Sequence, residues 1–447
     1  MKLNVILIMT LALLTCAYDA TAQSFVLSSS PTTGTAPNMV VAADINGDGK
    51  VDLISANFGT HTLTVLTNDG KGGFLLASTQ GVGNDPSCVV AVDINGDGKI
   101  DLISANTYGN TLTILTNDGN GGFSLSATLS VGNRPTSVIA SDTKGQGKLD
   151  LITANGVDNT LIVLTNNGNG SFGSNATYTV GFDPVSVVAA DVNGDGKLDL
   201  ITANFGSTSL NGNNLTVLTN NGSGGFGSNA TYNVGNGPNA VVAADVNGDG
   251  KVDLISANWG NGGSGNTLTV LTNNGSGGFG SNATYIVGNG PSFLVAADVN
   301  GDGKVDLISA NTQSNSLTVL TNNGSGGFVL ATTVPVGNGP FGVTAADVNG
   351  DGRLDLISAN RLASTLTVVT NSSTFLPRLT IKYSGNSVIV SWPSPWTGWA
   401  GWMLQQNTNL NTTNWMNFSD TIGDDGAIRS VTNSSPTDNL FFRLAHP

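Results

Sequence analysis

Residues 191–199 read Asp191-Val-Asn193-Gly194-Asp195-Gly196-Lys197-Leu-Asp199, and the chain returns to this nine-residue pattern seven times, once in altered form. Oxygen side chains stand at the first, third, fifth and ninth positions, with glycine at the fourth and sixth. A hard divalent cation that takes six to eight oxygens at about 2.3–2.6 Å suits such a spacing, which points to calcium. The glycines permit the sharp turn that folds the chain back on itself. Lys197 would offer its backbone carbonyl and leave its ammonium in water. The first nine positions follow the order of an EF-hand loop, but position twelve is Thr202 and the chain contains no Glu. The bidentate role would therefore fall to Asp199, and an extended apolar run follows where an EF-hand would place a helix.

Six copies are intact. They offer Asp44, Asn46, Asp48, Lys50 and Asp52; Asp93, Asn95, Asp97, Lys99 and Asp101; Asp191, Asn193, Asp195, Lys197 and Asp199; Asp245, Asn247, Asp249, Lys251 and Asp253; Asp298, Asn300, Asp302, Lys304 and Asp306; and Asp347, Asn349, Asp351, Arg353 and Asp355. The third copy, Asp142-Thr-Lys144-Gly-Gln146-Gly-Lys148-Leu-Asp150, replaces Asn by Lys144 and Asp by Gln146. An ammonium has no acceptor and repels a divalent ion. This loop is expected to hold no metal, with Lys144 folded inward between Asp142 and Asp150 or, as the alternative, pointing to solvent from a relaxed loop. About six structural Ca2+ per chain follow. The loops also explain the acidity: 18 of the 30 Asp lie in the six intact copies, and six divalent ions would bring the net charge from −14 to −2.

The loops start 49, 49, 49, 54, 53 and 49 residues apart. Between them each unit reads as four strands. A, Val241 to Ala244, leads into the loop; B, Leu254 to Asn258, leaves it. C, Leu268 to Thr272, alternates as a half-buried strand does. Asn274-Gly275 marks a turn into D, from Phe279 to Val287. Few charges and 60 Gly exclude long helices. Seven four-stranded units fit a closed propeller or an open solenoid. The ends favour closure. Ser24-Phe25-Val26-Leu27 copies the D strand at Gly327-Phe328-Val329-Leu330, and the last unit stops after its C strand. The N-terminal strand is thus expected to complete the seventh blade.

The repeated V-G-N-G-P-x-x-V-x-A-A-D-V-N-G-D-G-x-x-D-L resembles the FG-GAP (VCBS-type) repeat family, whose repeats also build the propeller of integrin α subunits. The resemblance covers Ser24 to about Ser373. It implies an all-β, seven-bladed β-propeller with calcium in the A–B hairpins of the lower face. It implies no single activity, because family members adhere, bind glycans or accompany enzymes.

Residues 1–22 read as a signal peptide: Lys2, an apolar run to Ala17, and a small-residue cleavage site at Ala20-Thr21-Ala22. The run is too short for a membrane span. The expected location is secreted or cell-surface, with a lipoprotein through Cys16 as the variant reading. After cleavage Cys88 is the lone cysteine, expected as an inert buried thiol. The propeller is assigned to 23–376 and a small β-sandwich-like module to 377–447. That module holds five of the six tryptophans, Trp392, Trp396, Trp399, Trp402 and Trp415, read as its core. It resembles a short C-terminal module of exported bacterial proteins.

Catalysis finds little support. The two histidines, His61 and His446, have no evident nucleophile, and Asp85, Asp158 and Asp183 sit in turns without a pairing. A net charge of −14 argues against nucleic acid as a partner. Binding has a better footing. With A–B loops below, the B–C and D–A loops lie above. The B–C loops vary most, and carry Phe58, His61, Tyr108, Phe205, Trp259 and Arg361; the D–A loops add Arg134, Phe182, Phe293 and Phe341. Irregular loops on a regular scaffold often form a binding face. The expected role is a monomeric module that recognises an extracellular protein or glycan. A structural surface component without a specific ligand is the alternative, and a carbohydrate-active enzyme the third reading.

Overall fold

The computed structural model describes residues 23–207 and 210–373, and seven short strands beyond them. Four antiparallel strands make each of seven blades. Blade 1 is typical: A is Pro37–Ala43, B Asp52–Asn57, C Thr62–Asn68 and D Phe74–Gly81. The seventh blade takes its D strand, Phe25–Ser29, from the N-terminus, where Phe25 pairs with Asn371, Val26 with Thr370 and Leu27 with Val369. The expected closure is therefore present.

Burial explains the strand sequences. Every residue of the B strand Asp52–Asn57 is buried, because a blade packs on both faces. Leu53 and Ile54 face opposite neighbours, so a continuous run replaces the alternation of a one-sided sheet. The core is accordingly a set of layers between blades. Ile45, Ile54, Leu63 and Val65 of blade 1 meet Val89, Leu102 and Leu115 of blade 2. The layer that joins the ends of the ring sets Ile357, Leu366 and Val368 against Val40, Leu53 and Leu66.

The last residue of each C strand locks blades together. Asn68 Nδ2 donates to Val51 O in its own blade and to Val348 O in blade 7, both at 2.8 Å. Asn117 reaches Ile45 O and Asn166 reaches Ile94 O in the same way. One asparagine per repeat thus ties each blade to the loop of its predecessor. The C–D connection runs over residues 274–278, with the expected turn at its start. Asn274 N–H donates to Gly278 O, and Asn274 Oδ1 accepts from Ser276 and Gly278 N–H. Gly275 and Gly277 take positive φ within it.

Blade 3 departs from the others inside as well as in its loop. In blade 2, Ser104 Oγ donates to Asn106 Oδ1, and Asn106 Nδ2 donates to Thr113 Oγ1 at 2.9 Å. Ile162 occupies the position of that threonine in blade 3. Thr153 Oγ1 and Asn155 Oδ1 are left buried without partners. Thr113→Ile is expected to cost about 1–3 kcal/mol in blade 2, because Asn106 Nδ2 and Gly83 N–H lose Thr113 Oγ1 as an acceptor. Ile162→Thr should recover part of that in blade 3; the urea midpoints of the two variants, moving in opposite directions, check it.

Beyond the propeller, Thr380–Ser384, Ser387–Pro393, Ile428–Ser434 and Gly423–Asp424 form one antiparallel sheet. Met416–Asn417, Met403–Asn407 and Phe441–Ala445 form another. The predicted signal peptide with Cys16, and Trp396, Trp399, Trp402 and Trp415, lie outside the described residues. Among the described residues no helix is long and apolar enough to cross a membrane.

Candidate functional site

Two sets of residues were singled out by sequence, and the blades place them at opposite ends. The nine-residue loops join A to B on the lower face; the B–C and D–A loops meet on the upper.

The lower loops are built on their first aspartate. Asp44 Oδ1 accepts from Gly47 N–H and Oδ2 from Gly49 N–H, each at 2.8 Å. Asn46 Oδ1 accepts from Asp48 N–H, and Asp48 Oδ1 from Lys50 N–H. Gly47 and Gly49 take φ of 75° and 80°, which side-chain-bearing residues adopt only under strain. The same bonds recur from Asp93, Asp191, Asp245, Asp298 and Asp347.

The ninth position has a role that the spacing did not reveal. Asp52 is fully buried; its Oδ1 accepts from Asn68 N–H and its Oδ2 from Ile45 N–H. It fastens the loop's start to the end of strand C. Burial, with repulsion from Asp48 and Asp44, raises its pKa. The same causes push Asp306 up to about 7 and Asp355 to about 6. A clue was available in the third loop, which loses its third-position oxygen to Lys144 and its fifth-position carboxylate to Gln146 yet keeps Asp150.

The lysines behave differently from expectation. Lys50 turns back to Asp48 Oδ2 at 3.6 Å, as do Lys197 to Asp195 at 3.3 Å, Lys251 to Asp249 at 3.6 Å and Lys304 to Asp302 at 3.5 Å. Two nearby opposite charges attract even when half-exposed, so the ammonium does not simply point to water. Arg353 sits likewise at Asp351 and donates to Ser373 O. Lys144 does not lie between Asp142 and Asp150. Its Nζ donates to Thr165 Oγ1 at 3.3 Å, and its stem packs on Gly224 of the next blade. The local reason is Thr143, whose hydroxyl donates to Asp150 and takes the acceptor an inward lysine would need.

The donors of each intact loop suit a hard cation in kind, being oxygens alone. Among the described residues, no three Asp, His or Cys side chains are grouped so as to hold a metal ion. The fifth-position carboxylate is turned toward a lysine in four of the intact loops and toward Arg353 in a fifth, and the ninth-position carboxylate toward backbone N–H groups.

The upper face brings four of its six sequence-picked residues together. Phe58 and Tyr108 meet edge to face with centroids 6.1 Å apart. The Arg361 guanidinium lies 4.9 Å from the Phe58 ring centre and 5.2 Å from that of Phe341. Trp259 tilts against Phe341 at 5.9 Å. A single row, Tyr108–Phe58–Arg361–Phe341–Trp259, thus draws on blades 2, 1, 7 and 5. Burial pushes the Arg361 guanidinium below its ordinary pKa, opposed by Tyr108 and Asp85. Phe341 belonged to the D–A set in sequence; only the folded ring makes it the link.

His61 stands apart. Its Nδ1 accepts from Asp85 N–H at 3.0 Å and lies 3.4 Å from Asp85 Oδ1. A neutral ring that accepts at Nδ1 carries its proton on Nε2, the reverse of a triad histidine. Phe205 makes no ring contact with the row among the described residues. Arg134 pairs with Asp183 across blades 3 and 4, and Asn133 N–H donates to Asp158 Oδ2. Asp85, Arg134 and Asp183 hold φ of 52–59°, where blades 5 to 7 place Gly237, Gly290 and Gly339. Cys88 is half-buried where blades 2 and 3 pack, not fully buried as expected; desolvation raises its thiol pKa, and it donates weakly to Val138 O, as an inert packing residue does.

Comparison with known proteins bears on the fold. BBS1N, solved in complex with ARL6DN, superposes with a TM-score of 0.58 at 12% identity, over 79% of this chain and 98% of that one. A candidate 6-phosphogluconolactonase from Bacteroides uniformis gives 0.50 at 14%, over 94% and 100%. A functionally unknown protein from Desulfotomaculum acetoxidans gives 0.50 at 13%, over 68% and 88%. At such identities the likeness concerns fold alone. No curated protein matches the sequence. The FG-GAP-like repeat matches at residues 44–104, 93–153, 142–202, 205–256, 245–309 and 298–358, and the FG-GAP repeat at 184–224. Repeat, spacing and blade therefore coincide along the ring, and the chain belongs to the FG-GAP repeat family.

Proposed function

We propose that this protein is an exported recognition module that binds a protein or glycan on its upper face, with calcium as a structural ion in the six intact lower loops. The observation that carries the reading is the row Tyr108–Phe58–Arg361–Phe341–Trp259, which gathers rings from four blades beside loops of irregular length. Rings that keep an exposed edge offer large contact area at little entropic cost. Ions held by the first-, third-, fifth- and ninth-position side chains would neutralise three carboxylates per loop and stiffen the face opposite the site. A non-catalytic role is favoured by the tautomer of His61, which leaves no base aimed at a nucleophile. The module would act as a monomer at or outside the cell surface.

A binding screen of the mature chain against glycans and surface proteins, with calcium and with chelator, tests the reading. Trp259→Ala is expected to weaken binding at least tenfold with the melting temperature unchanged. Retained binding in that variant would move the site elsewhere, and no ligand in the screen would favour a purely structural component.

A further inference from the structure

The aromatic row already contains a cation. Arg361 covers the Phe58 and Phe341 faces that would otherwise attract a positively charged ligand. Among the described residues Arg361 makes no ion pair and its guanidinium donates no hydrogen bond; Arg134, the other arginine of the upper loops described above, pairs with Asp183. Asp85, whose field reaches Arg361, is turned to His61 at 3.4 Å. A planar fork with five donors is thus held in place by rings and lacks its matching acceptor.

The B–C loop that carries Trp259 also forms a polar cleft of about 230 Å³, lined by Asn236, Asn258, Ser264 and Asn266 and not by the Trp259 ring itself. The Asn258 amide is spent on Ser256, Thr267 and Thr269, so the exposed Asn236 and Asn266 are the amides that could meet the hydroxyls of a sugar, with Trp259 supplying a ring for its C–H face. At the far end of the row Tyr108 is 65% exposed and offers a second platform. The chain's charge of −14 disfavours an extended polyanion on any face, while one carboxylate needs only one local cation.

Resting on the reading of the upper face as a binding face, we propose that its ligand is a saccharide bearing a single carboxylate, gripped by the unpartnered donors of Arg361 while neighbouring sugar rings lie on Trp259 and Tyr108. A carboxylate and a guanidinium form two parallel charge-assisted bonds, stronger than neutral ones. The carboxylate therefore sets specificity, and the aromatic rings supply contact area.

Calorimetric titration of the full chain tests this with 3′-sialyllactose against lactose, a glucuronate-terminated disaccharide against its glucose-terminated counterpart, and a short Asp-rich peptide. At least one acidic sugar is expected to bind tenfold or more tightly than its neutral counterpart. Arg361→Gln should abolish the difference, and Arg361→Lys should restore part of it. Trp259→Ala should weaken both members of a pair. Equal binding of acidic and neutral sugars, or a preference that survives Arg361→Gln, overturns the carboxylate site. In that case loss of neutral-sugar binding in Trp259→Ala still leaves the upper face as the binding face. Failure of every acidic sugar to bind, or Arg361-dependent binding of the peptide alone, overturns the saccharide. Because Arg361 packs between rings, the melting temperature of Arg361→Gln is measured first, and Arg361→Lys carries the comparison if it falls.

Discussion

A chain lacking residues 23–30 is expected to melt about 10 °C below the full chain and to aggregate. The segment supplies the whole D strand of blade 7, paired to Thr365–Asn371. Phe25 packs against Val299, Ile308 and Val343 in the layer between blades 6 and 7. Gln23 Nε2, almost fully buried, donates to Val299 O, and Ser24 N–H donates to Ser373 Oγ. Ser28 and Ser29 donate to Gly72 O of blade 1. Burial of one phenylalanine contributes about 2 kcal/mol, and the lost polar contacts about 1 kcal/mol each. A few degrees follow from each kcal/mol in a domain of this size. The structure also refines what the deletion does. The ring itself stays closed through the layer of Val40, Leu53 and Leu66 on Ile357, Leu366 and Val368. What is lost is the cover of an edge strand, and a bare edge pairs with other chains. A truncated chain that melts with the full one would show that blade 7 needs no outer strand.

Excess chelator is expected to lower the melting temperature by a larger margin. Each intact loop carries three carboxylates, and burial, with repulsion from Asp48 and Asp44, already raises the pKa of Asp52, a repulsion that a bound divalent ion would relieve. With calcium at ten times the dissociation constant, each site would add about 1.4 kcal/mol, so six sites would add about 8. Native mass spectrometry should count six ions, the third loop taking none. That loop is complete without one: Thr143 donates to Asp150, Gly147 N–H donates to Asp142, and Lys144 is engaged at Thr165. A melting temperature indifferent to chelator would remove calcium from the account, and seven ions would remove the argument from Lys144. Lys144→Met should change stability little, since its ammonium meets one hydroxyl and no carboxylate.

Much of this protein was legible in its sequence because the repeat reports itself seven times. The period fixed the number of blades, the stop after Leu366–Val369 required a strand from elsewhere, and Phe25-Val26-Leu27 supplied it. These are local facts: a strand pattern, a glycine turn, a copy of a known segment. The same locality hid the work of Asp52 and Asn68. A carboxylate spaced like a ligand is also a buried acceptor for two backbone N–H groups, and an asparagine that reads as the end of a strand ties two blades through Val348 O.

Long-range arrangement was beyond the sequence for a physical reason. Phe58, Tyr108, Trp259, Phe341 and Arg361 lie up to about three hundred positions apart, and only closure of the ring brings them into one row. Sequence placed them on the same face through the up-and-down course of the strands. Which of them touch depends on blade rotation around a common axis, so Phe205 falls outside the row and Phe341 completes it. The repeat determined the scaffold, because each unit buries its strands against a near-identical neighbour. The site was decided by tertiary structure, because it is made where the units differ.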